Sequence, residues 1–146
     1  MIYNKATLND IKGLSTLVSN MFTSNNSDEL NKVLTNYIRN KESEIFICKD
    51  EENIIGLAMI SLRHEHVEGC NVYPVAYIEG IYIKEEYENG DIAKSLLSEA
   101  EKWAKDNGAC QMASDCELDN LESYSFHIAC GFSQVRQITC FKKEIQ

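Results

Sequence analysis

Apolar residues recur along this chain with two periods, and each change of period marks a boundary. Leu8, Ile11, Leu14, Leu17, Val18, Met21 and Phe22 fall at helical spacing behind Thr7 and Asp10, a pair that can cap a helix. Residues 2–6, before them, read as a short strand. Ser24-Asn25-Asn26-Ser27 breaks the helix, and a second at about 28–40 carries Leu30, Val33, Leu34, Tyr37 and Ile38. Residues 45–48 then form a strand, 50–53 a turn and 54–65 its hairpin partner. Residues 72–83 make a further long strand, with Pro74 near its start, where a missing amide does least harm. A third helix at about 91–106 puts Ile92, Ala93, Leu96, Leu97, Ala100, Trp103 and Ala104 on one face and closes at Asn107-Gly108. Residues 110–116 are a strand, and Asp119 with Glu122 caps a fourth helix ending at Gly131. Residues 135–142 supply the last strand. The order βααβββαβαβ is α+β, with a hairpin-rich first half and a βαβ second half.

A chain of 146 residues, 44% hydrophobic and 25% charged, holds one globular domain with a real core. It has a single proline and no Ser/Gly-rich linker or repeat, so nothing marks a domain boundary within 1–146. Residues 1–5 lack the apolar core of a signal peptide, and no run approaches the roughly 20 apolar residues of a membrane span. The expected location is the cytoplasm, with no membrane partner. The six cysteines, Cys48, Cys70, Cys110, Cys116, Cys130 and Cys140, show no CxxC spacing. Reduced thiols acting as small hydrophobes are expected, and no metal site. A net charge of −9 argues against nucleic acid, which demands a basic surface. It suits a cationic partner, though acidic charge also simply keeps proteins soluble.

Three places carry chemistry. In Tyr77-Ile78-Glu79-Gly80-Ile81-Tyr82-Ile83 an acid sits within an apolar strand. Alternation would place Tyr77, Glu79 and Ile81 on one face and Ile78 and Tyr82 on the other, with Gly80 permitting a bulge. A carboxylate there needs a cation or hydrogen bonds. It is either a structural ion pair or a base or anchor for an amine, which must lose a proton before it attacks a thioester. The turn 84–93 then enters a helix N-terminus, a ready anion site. Finally, residues 113–120 end a strand and open a helix, carrying Asp115, Glu117 and Asp119, which read either as a solvated turn or as a site where Asp115 binds an ammonium and Asn120 reaches the donor.

Several residues carry a family resemblance that is densest from Ile60 to Phe141. They are Ser61, Arg63, Glu65, Val67 and Gly69; Pro74-Val75; Glu79-Gly80-Ile81-Tyr82; Ala100-Glu101 and Trp103-Ala104-Lys105; Ala113-Ser114-Asp115; Leu118-Asp119-Asn120; and His127 with Gly131-Phe132. In these the chain resembles the GNAT superfamily of acetyl-coenzyme A-dependent N-acetyltransferases, and within it the aminoglycoside 6'-N-acetyltransferases. The resemblance implies a mostly antiparallel mixed sheet, splayed at the cofactor site and flanked by about four helices. It implies acetyl transfer from acetyl-CoA by direct attack of a small cationic amine, the 6'-amine of an aminoglycoside, in a homodimer. Glu79 and Asp115 would hold the ammonium groups, with Glu79 catalytic. Ile81, Tyr82 and Ile83 would offer backbone amides to the acetyl carbonyl and pantetheine. Asn89, Gly90, Asp91, Ile92, Ala93 and Lys94 would face the pyrophosphate, and Asn120 the donor. His127 holds the place where such helices often carry a tyrosine that protonates the departing thiolate.

The chain also departs from the pattern. The pyrophosphate motif, Arg/Gln-x-x-Gly-x-Gly/Ala, meets Glu88 at its basic position and Asp91 at a glycine position, with Gly90 one residue early. Asp91 could cap the helix and compete for its amides. In the substrate site Phe22 replaces a tryptophan, His66 a tyrosine, and Arg136 an acid, a cation that Glu68 or Glu117 could offset. Two alternatives stay open: an acetyltransferase for a polyamine, small amine or protein N-terminus, or a degenerate domain that binds CoA weakly.

Overall fold

The computed structural model describes residues 1–19, 27–88 and 91–146. The described residues form five strands, β1 (Ile2–Lys5), β2 (Ser43–Asp50), β3 (Asn53–Arg63), β4 (Val75–Ile83) and β5 (Met112–Ala113). Four helices accompany them: α1 (Ile11–Ser19), α2 (Ser27–Arg39), α3 (Ile92–Asp106) and α4 (Leu121–Ala129). One sheet runs in sequence order, antiparallel from β1 to β4, with β5 parallel to β4.

Strand alternation divides the core between the two faces. Ile45 and Ile47 of β2 and Leu57 of β3 meet Leu14, Leu17 and Val18 of α1 and Leu34 of α2. Phe46, Cys48, Ala58 and Ile60 meet Leu96, Leu97, Ala100, Trp103 and Ala104 of α3. The periodic apolar face read in the third helix is therefore the buried one, and each buried leucine contributes roughly 1.5–3 kcal/mol. Gly56 lets α3 approach β3: a Cβ there would lie 2.9 Å from Ile83 Cδ1 and 3.3 Å from Ile92 Cγ2 and Leu96 Cδ1. Ahead of α1, a 3₁₀ turn (Leu8–Asp10) is held by Asp10, whose carboxylate accepts from the Thr7 amide at 2.8 Å and meets Lys49 at 3.1 Å.

The structure corrects four expectations. First, alternation does not run through Glu79. Met59 faces Gly80 and Ile60 faces Ile78, so Glu79 is the extra residue of a bulge. Ile78 and Ile81 consequently share the α3 face, while Tyr82 packs on the α1–α2 side. Second, the fifth strand is only Met112–Ala113, because beyond Tyr77↔Ala113 it diverges from β4. Third, residues 135–142 are in no strand, and Val135, Ile138, Phe141 and Ile145 are 62–95% exposed. Fourth, α4 is capped by Asn120 rather than Asp119, its side chain accepting from the Ser123 amide at 3.1 Å. The end of the first helix, at Met21 and Phe22, lies outside the described residues. All six cysteines are free, yet only Cys48 is fully buried, so the small-hydrophobe reading fits it best.

Two outcomes follow from this packing. Gly56→Ala should lower stability by about 1–3 kcal/mol in urea denaturation, since three packed side chains must shift; an unchanged midpoint would contradict the close approach. Burial pushes the Asp10 carboxyl up, but the Thr7 amide and Lys49 outweigh it and hold it below its ordinary value. A depressed carboxyl stabilises the fold above its unfolded pKa and loses that contribution as pH falls through the folded one. Asp10→Asn should therefore cost about 1 kcal/mol at pH 7, a gap that closes as the pH falls through the depressed folded-state pKa of Asp10.

Candidate functional site

The site forms where β4 leaves β5. The two strands pair only at Ala76↔Met112 and Tyr77↔Ala113, while β4 runs on to Ile83. Beyond Tyr77, β5 forms no ladder with β4, so backbone polar groups on that side need other partners. Ile81, Tyr82 and Ile83 lie in this later part of β4. Gly80 makes room beside it, since a Cβ there would come within 2.7 Å of the Tyr82 ring.

Two carboxylates flank the mouth of the divergence. Glu79, pushed out by its bulge, accepts from Ser61 Oγ at 2.7 Å and from Arg63 Nη2 at 3.0 and 2.9 Å, one bond to each oxygen. The acid is therefore half-exposed and ion-paired, not buried in an apolar strand; the bulge spares it the desolvation that alternation implied. Asp115, just past β5, accepts a short hydrogen bond from the Tyr77 hydroxyl. Burial first, and then that carboxylate, raise the Tyr77 pKa well above its ordinary value, so the phenol stays a donor. Tyr37 of α2 joins the group: burial, followed by the Glu79 charge, pushes it up to about 12, while Ser61 hydrogen-bonds to it.

His127 reaches the same place from α4. Its Nδ1 lies 2.7 Å from the Ser123 carbonyl oxygen, to which Nδ1–H donates, and its Nε2 lies 2.9 Å from Ser114 Oγ. Ser114 Oγ is in turn 3.4 Å from the Ile78 carbonyl oxygen on β4. A neutral His127 thus accepts at Nε2 from the serine hydroxyl, whereas a protonated ring donates there. Phe126 and Phe132 pack edge-on against the imidazole and fix its plane.

At the other end of β4, α3 begins. Asp91 is its N-cap residue but makes no side-chain cap bond, so the competition for the helix amides does not occur. The first amides of α3, at Ile92, Ala93 and Lys94, have no intrahelical acceptor and mark the positive end of the helix dipole. Lys94 also lines a groove of about 220 Å³ between α3 and α4, with Leu97, Ser98, Glu101, Ala129 and Cys130. The unpaired edge, the uncapped helix tip and this groove fit a long donor bearing a pantetheine arm and phosphates. A larger cavity, about 520 Å³, lies between the start of α1 and the β2–β3 hairpin. None of the candidate residues lines it.

The remaining expected residues are dispersed. His66 and Arg136 both bind Glu68, at 3.2 and 2.9 Å, so the cation at Arg136 is offset by Glu68, and Glu117 is not needed for that. Hydrogen bonds from His66 and then Arg136 hold the Glu68 carboxyl below its usual range. The carbonyl of the Asn120 side chain is committed to capping α4. Phe22, Asn89 and Gly90 lie outside the described residues. The sequence reading assigned no role to Ser61, Arg63, Tyr37, Tyr77 or Ser114. Its available signal was the two-residue spacing of Ser61 and Arg63 on a strand beside Tyr77 and Glu79.

Comparison with known proteins agrees with this geometry. Residues 11–132 match the Acetyltransferase (GNAT) family. An aminoglycoside N(6')-acetyltransferase type 1 of Acinetobacter genomosp. 13 is 37% identical over 102 residues, 70% of each chain. The apo structure of an aminoglycoside antibiotic 6'-N-acetyltransferase of Acinetobacter haemolyticus superposes with a TM-score of 0.91 at 27% identity, covering 100% of both chains. A related acetyltransferase structure, in complex with the bisubstrate analogue CoA-S-monomethyl-acetylneamine, shares the fold at a TM-score of 0.93 and 24% identity, over 99% of this chain and 98% of that one. A splayed β4, an uncapped helix tip beside it and this agreement in sequence and fold lead to one conclusion: the chain belongs to the GNAT family of acetyltransferases.

Proposed function

We propose that this chain, as a single domain over 1–146, moves the acetyl group of acetyl-CoA onto the 6'-amine of an aminoglycoside, in the cytoplasm. The observation that carries the reading is the pair of carboxylates, Glu79 and Asp115, held on either side of the point where β4 and β5 part. An aminoglycoside brings several ammonium groups, and two fixed acids beside an acyl donor give it both affinity and orientation. Relatives 37% and 36% identical to this chain over 70% of their length are aminoglycoside N(6')-acetyltransferases.

Acetyl-CoA supplies an activated thioester. Backbone amides among Ile81, Tyr82 and Ile83 that face away from β3 polarise its carbonyl, and the start of α3 with Lys94 takes the pyrophosphate. Glu79 and Asp115 seat the ammonium groups, and Glu79 is the carboxylate placed to receive the proton that the attacking amine must shed. The C–N bond forms as the C–S bond breaks. His127 is placed to return a proton toward the departing thiolate through the Ser114 hydroxyl, which links it to the Ile78 carbonyl on β4. The attack is direct, so Cys110 and Cys116 play no nucleophilic part.

A homodimer completes the proposal. Val135 sits over Gly69 and anchors the start of the C-terminal segment, but Ile138, Phe141 and Ile145 remain exposed. A second copy is the natural cover for an extended apolar segment of this kind. Phe141→Glu should shift the protein from dimer to monomer in light scattering; a wild-type monomer at micromolar concentration would contradict the dimer.

Kanamycin or tobramycin with acetyl-CoA should release free thiol, and the product should carry acetyl at the 6' nitrogen by NMR. Release with spermidine but not with aminoglycosides would refute the acceptor, and failure to bind CoA in calorimetry would refute the enzyme. Glu79→Gln should keep the fold and lower kcat/KM by roughly 10- to 100-fold, about 1.4–2.7 kcal/mol of transition-state stabilisation. A variant at full rate would make Glu79 merely structural.

A further inference from the structure

Arg63 sits between the two carboxylates and touches both halves of the site. Its Nη2 spans the two oxygens of Glu79, and its guanidinium carbon stands 3.4 Å over the centroid of the Tyr77 ring. Tyr77 in turn donates its hydroxyl hydrogen to Asp115. The side chains therefore form one charge-alternating chain: Ser61, Glu79, Arg63, the Tyr77 ring, Asp115. Each link strengthens the next. A phenol that donates to a carboxylate carries more electron density in its ring, and a richer ring holds a guanidinium more tightly. Arginine suits the position because a planar guanidinium can stack on an aromatic face while its edge grips a carboxylate, and lysine cannot do both.

We propose that Arg63 is a positioning residue that couples the two acceptor-binding carboxylates, fixing Glu79 directly and Asp115 through Tyr77, so that an amine seated on one is aimed by the other. The proposal rests on the reading of Glu79 and Asp115 as the acceptor site. Arg63 lies on β3 and is 43% exposed, facing the acceptor side rather than the groove between α3 and α4. It is also the resident cation of a site meant for cations: it neutralises one of the two acids in advance, leaving Asp115 and the open side of Glu79 to the substrate. Holding an acid in place by a neighbouring cation trades some attraction for orientation, and orientation is what a direct attack needs.

The test is a double-mutant cycle between Arg63 and Asp115, read by steady-state kinetics with kanamycin and by calorimetric kanamycin binding. Arg63→Met should lower kcat by about tenfold or more while KM for kanamycin moves by less than about threefold, and Arg63→Lys should restore only part of kcat. Asp115→Asn should weaken kanamycin binding clearly in the wild-type background and by at least about threefold less in the Arg63→Met background. CoA binding, which Arg63 does not touch, should be unchanged in every variant and reports on folding. Independent, multiplying effects of the two substitutions would overturn the coupling, as would an Arg63→Met effect confined to KM. Should Arg63→Met fail to bind CoA, the Arg63→Lys cycle carries the same comparison, with the same multiplying outcome counting against the proposal. A wild-type protein that binds kanamycin but transfers no acetyl would refute the function while leaving this binding cycle intact.

Discussion

The rest of the structure depends on one irregularity, the bulge that places an unpaired Glu79 between Ile78 and Gly80. A bulge bends a strand and increases its local twist. Here it does two things at once. It turns a charged side chain out of the core to meet Ser61 and Arg63, and it carries β4 away from β5 immediately after Tyr77↔Ala113. A regular strand at this position would hydrogen-bond to its neighbour throughout and leave no edge for a donor to occupy. The reversal of facing between Tyr77 and Ile81 is the same event seen from the core.

Around that irregularity the fold is conventional and serves as a brace. α3 packs tightly on β2, β3 and β4, through Gly56 and the buried Leu96, and so fixes its own N-terminus at the far end of the splayed strand. α4 brings His127 to Ser114 from the opposite side of the gap. Acids and proton-carrying groups thus arrive from β3, β4, the turn after β5 and α4. The excess negative charge of the chain is consistent with a cationic acceptor, but the site itself is not simply acidic. Arg63 on Glu79 already matches one of its carboxylates with an internal cation.

Much of this was legible in the chain alone, because long periodic segments speak for themselves. The apolar face of α3, the β2–β3 hairpin and the turn at Asn107-Gly108 follow from spacing and from turn chemistry. Glu79, Asp115 and His127 stood out as candidates because a polar group in an apolar setting, or in a family motif, demands an explanation. The partners of those residues were not. Arg63 meets Glu79 only through the β3–β4 register and the bulge, and a shift of one residue would have sent either side chain to the other face. The C-terminal segment reads as a strand because its alternation is real, yet local pattern cannot say whose edge it would join. Asp91 occupies the N-cap position its place in the chain suggests, and only its side-chain geometry shows that it makes no cap hydrogen bond.

The proposed transfer requires an amine seated by Glu79 and Asp115 at the mouth of the splay while a thioester lies along β4. A crystal structure of the protein with CoA and kanamycin is the decisive measurement. The pantetheine arm should lie beside Ile81, Tyr82 and Ile83, with the 6'-amine within hydrogen-bond distance of Glu79 and a second ammonium on Asp115. Kanamycin bound away from both carboxylates, or CoA bound away from β4, would contradict it.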